Sequence, residues 1–198
     1  MDRIHIALFT PGYPHVDAVL RAVELSRRPG ASFSRSLGWP LPPHRDQFVH
    51  WLLDTDATHA LLLEGDVVPP PDVLDRLLEA DVPAVTAAYP QWVDDRLAAN
   101  VQAVADQTWS DTIPAKLFPS RRCLLGCVLV RREVFTTVPP PWFLATMAAT
   151  RFVEDDEWFC GAVRQAGLRL LCDGRVMCTS FRQGSDLLAL TGGGIRRP

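Results

Sequence analysis

Hydrophobic residues along this chain gather in short runs punctuated by turn-forming residues. Ile4 to Phe9 is an apolar, β-rich run that stops at Thr10-Pro11-Gly12, which predicts a strand and then a turn. Val16, Val19, Leu20 and Val23 follow at helical spacing, with Asp17 near the start and Arg27-Arg28 near the end, charges that suit a helix dipole. Ala31 to Ser34 reads as a second short strand, and the proline-rich Gly38 to Pro43 as a loop. Phe48, Val49, Trp51 and Leu52 give Arg45 to Leu53 a helical face. His59 to Leu63 is a compact apolar run of the kind that forms a buried strand. Pro69-Pro70-Pro71-Asp72 ends it and opens a helix, since proline is accepted in a first turn; Val73, Leu74, Leu77 and Leu78 form the buried stripe of that helix. Val82 to Tyr89 is the next strand.

Strand and helix therefore alternate, which predicts a layered α/β fold with a mixed, mostly parallel central sheet flanked by helices. The regularity breaks at Pro90 to Ser120, where aromatics and charges are scattered without a clear period. Strand character resumes over Cys123 to Val130, followed by a short helix at Arg131 to Phe135 that ends at Pro139-Pro140-Pro141. Glu154 to Gln165 reads as a helix with Trp158, Phe159 and Val163 inward and Gly167 as its terminator. Leu168 to Cys172 and Val176 to Cys178 are short strands. One domain over residues 1–182 is expected, with 183–198, which includes Gly192-Gly193-Gly194, as a mobile tail.

Composition narrows the class. The chain has 198 residues, 47% of them hydrophobic, with 20 basic against 23 acidic side chains and a net charge of -3. Such a chain buries a core, which excludes a disordered tail protein. The acidic balance argues against nucleic acid as a partner, because phosphate binding draws on a basic excess. No apolar run approaches the roughly 18–20 residues that span a bilayer, so no transmembrane segment is expected. Met1-Asp2-Arg3 ahead of Ile4 does not make a signal peptide. The cysteines are Cys123, Cys127, Cys160, Cys172 and Cys178; they are odd in number and form no C-x-x-C pair. They read as reduced, buried thiols of a cytoplasmic protein. The 17 prolines against 12 glycines ask for a structural reason.

Two acidic segments carry candidate chemistry. In LLLEGDVVPPPD, Leu61 to Asp72, Glu64 and Asp66 sit just past the carboxyl end of an apolar strand, where ligands bind in open α/β sheets. Residues two apart on an extended segment point the same way, so these carboxylates can converge on a hard divalent cation, Mg²⁺ or Mn²⁺. The alternative is an acidic turn facing solvent. Glu154-Asp155-Asp156-Glu157 is the densest charge run, between Trp142-Phe143 and Trp158-Phe159. Acidic residues stabilise a helix N-terminus in any case. Aromatic walls can also raise a carboxyl pKa and make it a base, and aromatic faces suit sugar rings.

Taken together, these segments resemble a glycosyltransferase of the GT-A fold, similar to family 2. Four pieces match in order over roughly residues 3 to 180. The first is the N-terminal strand with Thr10-Pro11-Gly12-Tyr13. The second is Arg45 and then E-G-D in place of D-x-D. The third is LLGCVLVRREVF, Leu124 to Phe135, with Pro141-Trp142-Phe143. The fourth is VEDDEWFCGAVRQAGLRLLCD, Val153 to Asp173. The resemblance implies transfer of a sugar from a nucleotide-diphosphate sugar to an acceptor hydroxyl. By that resemblance, Asp66 and Glu64 hold Mn²⁺ or Mg²⁺, Asp155 with Glu154 beside it is the base of an inverting reaction, and Thr10, Pro11 and Tyr13 meet the nucleotide. Arg45 contacts the diphosphate, Gly126 lets the backbone approach the sugar, and Trp142 lines the acceptor or sugar pocket. The stretch Pro90 to Ser120 shapes acceptor choice.

The sequence departs from the family pattern at Glu64, where Asp is usual, and at Cys178 to Phe181, which lacks the histidine often found after the last strand. A non-catalytic carbohydrate- or partner-binding domain is the second reading. A nucleotidyltransferase is the third, disfavoured because Thr10 to His15 contains no Lys or Arg. The shortness of the chain points to a small or soluble acceptor. The proline runs Pro69–Pro71 and Pro139–Pro141 are expected to stiffen turns beside the donor pocket.

Overall fold

All seven residues of the first strand, β1 (Ile4–Thr10), are buried, because helices cover both faces of the sheet at this point. The computed structural model describes residues 2–93, 96–104, 108–181, 190–191 and 194–195. After β1 come α1 (Val16–Leu25), β2 (Ala31–Leu37), α2 (Leu41–Leu53), β3 (His59–Glu64), β4 (Val67–Val68), α3 (Val73–Glu79) and β5 (Ala84–Ala88). Then follow β6 (Pro90–Val93), β7 (Arg96–Ala99), β8 (Val101–Ala103), β9 (Leu117–Cys123), β10 (Cys127–Arg131) and α4 (Arg132–Thr137). The chain continues through β11 (Thr146–Ala148), β12 (Arg151–Val153), α5 (Asp155–Gln165), β13 (Leu170–Met177) and β14 (Thr179–Ser180). Leu190–Thr191 and Gly194–Ile195 pair antiparallel; the rest of the tail expected at 183–198 lies outside the described residues.

The main sheet runs β2-β1-β3-β10-β5-β13-β9-β8. β10 and β9 run against the other six strands, so the sheet is mixed and mostly parallel in direction. Strand alternation divides the core in two. Ala7 and Phe9 pack with Phe48, Val49 and Leu52 of α2 on one face, while Ile4, Ile6 and Leu8 pack with Ala22 and Leu25 of α1 on the other. Leu62 and Leu61 of β3 are divided between the faces in the same way.

Several elements differ from expectation. Pro42 and Pro43 do not extend a loop but lie in the first turn of α2, where a missing N–H costs nothing. On α1 the buried face is Ala18, Ala22 and Leu25, and Val16 and Leu20 are exposed; small alanines let the helix approach the sheet closely. The stretch after Pro90 is built of hairpins: Pro90 pairs with Ala99 and Trp92 with Leu97. The strand expected at Cys123 to Val130 is two strands, β9 and β10, in different places in the sheet. The two strands expected after Leu168 are one, β13, with an irregularity between Asp173 and Met177. All five cysteines are buried and unbridged, as expected. Neither proline triplet lines the cavities described below.

His5 lies on β1 with both ring nitrogens bonded to the hydroxyls of Ser32 and Ser34, at 2.7 and 2.8 Å. Burial pulls its pKa down from 6.5 to about 4. The native state then binds fewer protons than the unfolded state between these values, so stability falls as pH drops from 6.5 toward 4. Urea denaturation across this range is expected to show that loss, and His5→Gln to flatten it.

Candidate active site

The carboxyl ends of β1 and β3 lie side by side, with Phe9 opposite Glu64 in parallel register. The loop after β1 and the E-G-D turn are packed so closely that a side chain at Gly65 would meet Thr10 and Pro14 at 2.9 Å. Backbone bonds fasten them: Gly65 N donates to Phe9 O (2.9 Å) and His15 N donates to Gly65 O (2.7 Å). The segment after β13 joins from the other side. β14 pairs with β4, Phe181 N donates to Asp66 O (2.8 Å), and the Phe181 ring stacks on His15 at 3.8 Å.

Two cavities open here and share Trp39, Leu41 and Glu64. The first, ≈ 520 Å³, is lined by the Thr10–His15 loop, the E-G-D turn and Phe181. The second, ≈ 830 Å³, lies between Trp92, Trp109, Arg122 and the start of α5. They form one cleft with two halves.

At the junction sits Arg45, on the first turns of α2 and almost wholly buried. One terminal nitrogen donates to Glu64 Oε1 at 2.6 Å, and the other donates to Asp155 Oδ2. The guanidinium lies over the Phe9 ring at 5.7 Å, and its Nε has no hydrogen-bond partner among the described residues. Burial works against the charge, but the two carboxylates outweigh it and the pKa is raised. A second guanidinium organises the α5 end. Arg122 of β9 grips Asp156 through Nε (2.6 Å) and Nη2 (3.0 Å), reaches Glu154 and Glu157, and lies over the Trp109 ring at 5.0 Å. Burial pushes the Asp156 carboxyl up to about 6, and Arg122 only partly offsets it.

No family model matches this chain, and no curated protein matches it. Solved structures do. The chain is similar to A197 from STIV, with a TM-score of 0.67 at 16% identity over 90% of this chain and 85% of that one. It is similar also to a candidate nucleotide-diphospho-sugar transferase from Desulfovibrio desulfuricans G20, with a TM-score of 0.50 at 11% identity over 87% and 80%. The fold is GT-A-like. At these identities the likeness shows the fold alone.

On this GT-A-like scaffold the expected site residues separate into two groups. Thr10, Pro11, Tyr13, Glu64 and Asp66 line the first half of the cleft, and Arg45, Glu64, Glu154 and Asp155 the second. Thr10 has its hydroxyl tied to Gly12 O (2.9 Å), whereas the Tyr13 side chain is fully exposed at the mouth. Arg45 is held by two carboxylates, Glu64 and Asp155. Two assignments are corrected. Trp142 is 3% exposed, lines neither half, and donates its indole N–H to Phe135 O and Val138 O in the core. Gly126 lines neither half and packs against Tyr89 and Val67; an added Cβ would lie 2.2 Å from the Tyr89 hydroxyl. Its carbonyl accepts from Glu64 N (3.0 Å), so its role is to set the end of β3.

Sequence reasoning did not single out Trp39, Arg122, Asp156 or the His15–Phe181 stack. Trp39, a large aromatic between Gly38 and Pro40, carried a legible signal, because function gathers on loops held by a rigid scaffold, and Asp156 stood within the acidic run Glu154 to Glu157. Among the described residues no group of three or more His, Cys, Asp or Glu side chains forms a ready metal site. The described lining of the first half nonetheless contains Glu64 and Asp66 and no Lys or Arg. An anionic ligand there needs a cation. With Glu64 engaged by Arg45, Asp66 and Glu64 are the carboxylates of this half that could hold a divalent ion. No helix of the described residues is long and apolar enough to cross a membrane.

Two measurements follow from these ion pairs. Arg45→Met leaves Glu64 and Asp155 without their shared cation and is expected to cost about 3–5 kcal/mol in urea denaturation, the usual loss on breaking a buried pair. Asp156 holds a proton in the native state between pH 3.8 and about 6 that the unfolded state has lost, so its contribution declines as pH rises through that window. Asp156→Asn is expected to gain on the parent between pH 4 and 6.

Proposed function

We propose that this protein is a GT-A-type glycosyltransferase that moves a sugar from a nucleotide-diphosphate sugar to an acceptor hydroxyl with inversion, similar to family 2 enzymes. One observation carries the reading: a single guanidinium, Arg45, binds Glu64 and Asp155 where the two halves of the cleft meet. Arg45 thereby fixes Asp155 of α5 at the junction of the two halves, where a base for an acceptor hydroxyl would lie beside the donor half.

In this reading the first half takes the donor, with Thr10 and Pro11 forming its wall and Tyr13 offering a ring to the nucleotide base. Asp66, with Glu64, would hold Mn²⁺ or Mg²⁺, and such an ion would offset negative charge on the departing nucleotide. Asp155 takes the proton of the acceptor hydroxyl. That oxygen bonds to the anomeric carbon as the bond from this carbon to the diphosphate oxygen breaks, and the electron pair leaves with the nucleotide. Arg45 positions Asp155 through its Oδ2 edge. Glu154, more exposed and paired with Arg122, borders the acceptor half.

Thermal-shift assays with uridine and guanosine diphosphates, with and without Mn²⁺, test the donor site. Stabilisation by at least one nucleotide with metal, lost in Asp66→Ala, is expected; no shift with any nucleotide overturns the proposal. Asp155→Asn is expected to lower transfer roughly 10²–10⁴-fold, the usual weight of a general base, while retaining the nucleotide shift. Nucleotide binding with neither transfer nor donor hydrolysis would identify a non-catalytic domain.

A further inference from the structure

Three of the exposed large apolar side chains converge on one place. Trp39 (73% exposed), Trp92 (46%) and Phe152 (56%) come from the β2–α2 connection, β6 and β12, and all line the second half of the cleft. Trp109 joins them beneath the Arg122 guanidinium. Exposed apolar residues scattered singly need no explanation. Four aromatic rings brought by four segments into one ≈ 830 Å³ concavity do.

The groups between the rings define the ligand. Glu64 and Asp155 are paired with Arg45, and Glu154 and Asp156 with Arg122. These pairs hold hydrogen-bonding groups in fixed directions, and a charged ligand would have to displace a guanidinium to reach the carboxylates. Four carboxylates against two guanidiniums leave the lining acidic. That opposes nucleic acid, which also stacks on aromatic rings but carries phosphates. A lipid chain would cover the charged groups without bonding them. A neutral sugar answers both features: its C–H faces pack on aromatic rings and its hydroxyl edges meet fixed donors and acceptors.

We propose that this half of the cleft is a binding site for a neutral saccharide, which is the acceptor of the transfer. The acceptor role rests on the glycosyltransferase reading; the saccharide site does not. The test is saturation-transfer NMR on the full chain with neutral trisaccharides of glucose, galactose, mannose and N-acetylglucosamine. At least one is expected to receive magnetisation at its ring C–H protons. Trp92→Ala and Phe152→Ala are each expected to weaken that trisaccharide about three- to tenfold, the effect of one lost aromatic contact. The wild-type signal stands without either variant should one fail to fold. No signal from any trisaccharide, or equal affinity in both folded variants, overturns the site. So does binding of a lysine-rich peptide or an oligothymidylate that no saccharide displaces. Nucleotide diphosphate with Mn²⁺, added to the same samples, separates the two proposals. Saccharide binding without a nucleotide-induced shift keeps this site and removes the transferase reading. A nucleotide shift without saccharide binding does the reverse.

Discussion

A buried guanidinium is the constraint around which this cleft is arranged. Arg45 lies almost wholly out of water, where a single positive charge is costly unless opposite charges surround it. Glu64 supplies one and Asp155 the other. They come from β3 and α5, elements separated by most of the fold, and the cost of leaving Arg45 uncompensated ties their positions together. The same residue sits on α2 and over Phe9 of β1, so the sheet and the two helices α2 and α5 meet at one side chain.

The strand-end turn is fixed by a different force, close packing. Gly65 fits only because it has no side chain against Thr10 and Pro14, and its N–H and C=O bond to the chain on either side of that loop. The pairing of β14 with β4 and the stack of Phe181 on His15 close the same region from the carboxyl-terminal side. The first half of the cleft thus has walls set by backbone bonds, whereas the second has walls of aromatic rings and ion pairs. The prolines that line the cleft are Pro11 and Pro14 in the loop after β1 and Pro40 and Pro42 at the start of α2, and not the triplets.

How much was legible follows from the range of each interaction. β1, β3 and β5 were readable because strands buried on both faces are continuously apolar, and Glu64 and Asp66 because they close such a strand. The α1 face was misread: Val16 and Leu20 have the helical period, but alanines make the contact with the sheet. Trp142 looked like a pocket wall from its place beside Phe143. Only the packed structure shows its indole N–H turned to carbonyls of α4 and its end. Gly126 was rightly marked as needing no side chain, but the neighbour that requires this is Tyr89, 37 positions earlier.

By itself the sequence determined the alternation of strand and helix and the placing of an acidic turn at a strand end, because each depends on neighbours a few residues apart. Tertiary structure alone decided which charges meet. Arg45 and Asp155 are 110 positions apart and Arg122 and Asp156 are 34, and no spacing rule joins them. Ion pairs of this kind form when burial makes an unpartnered charge too costly, and burial is a property of the folded chain.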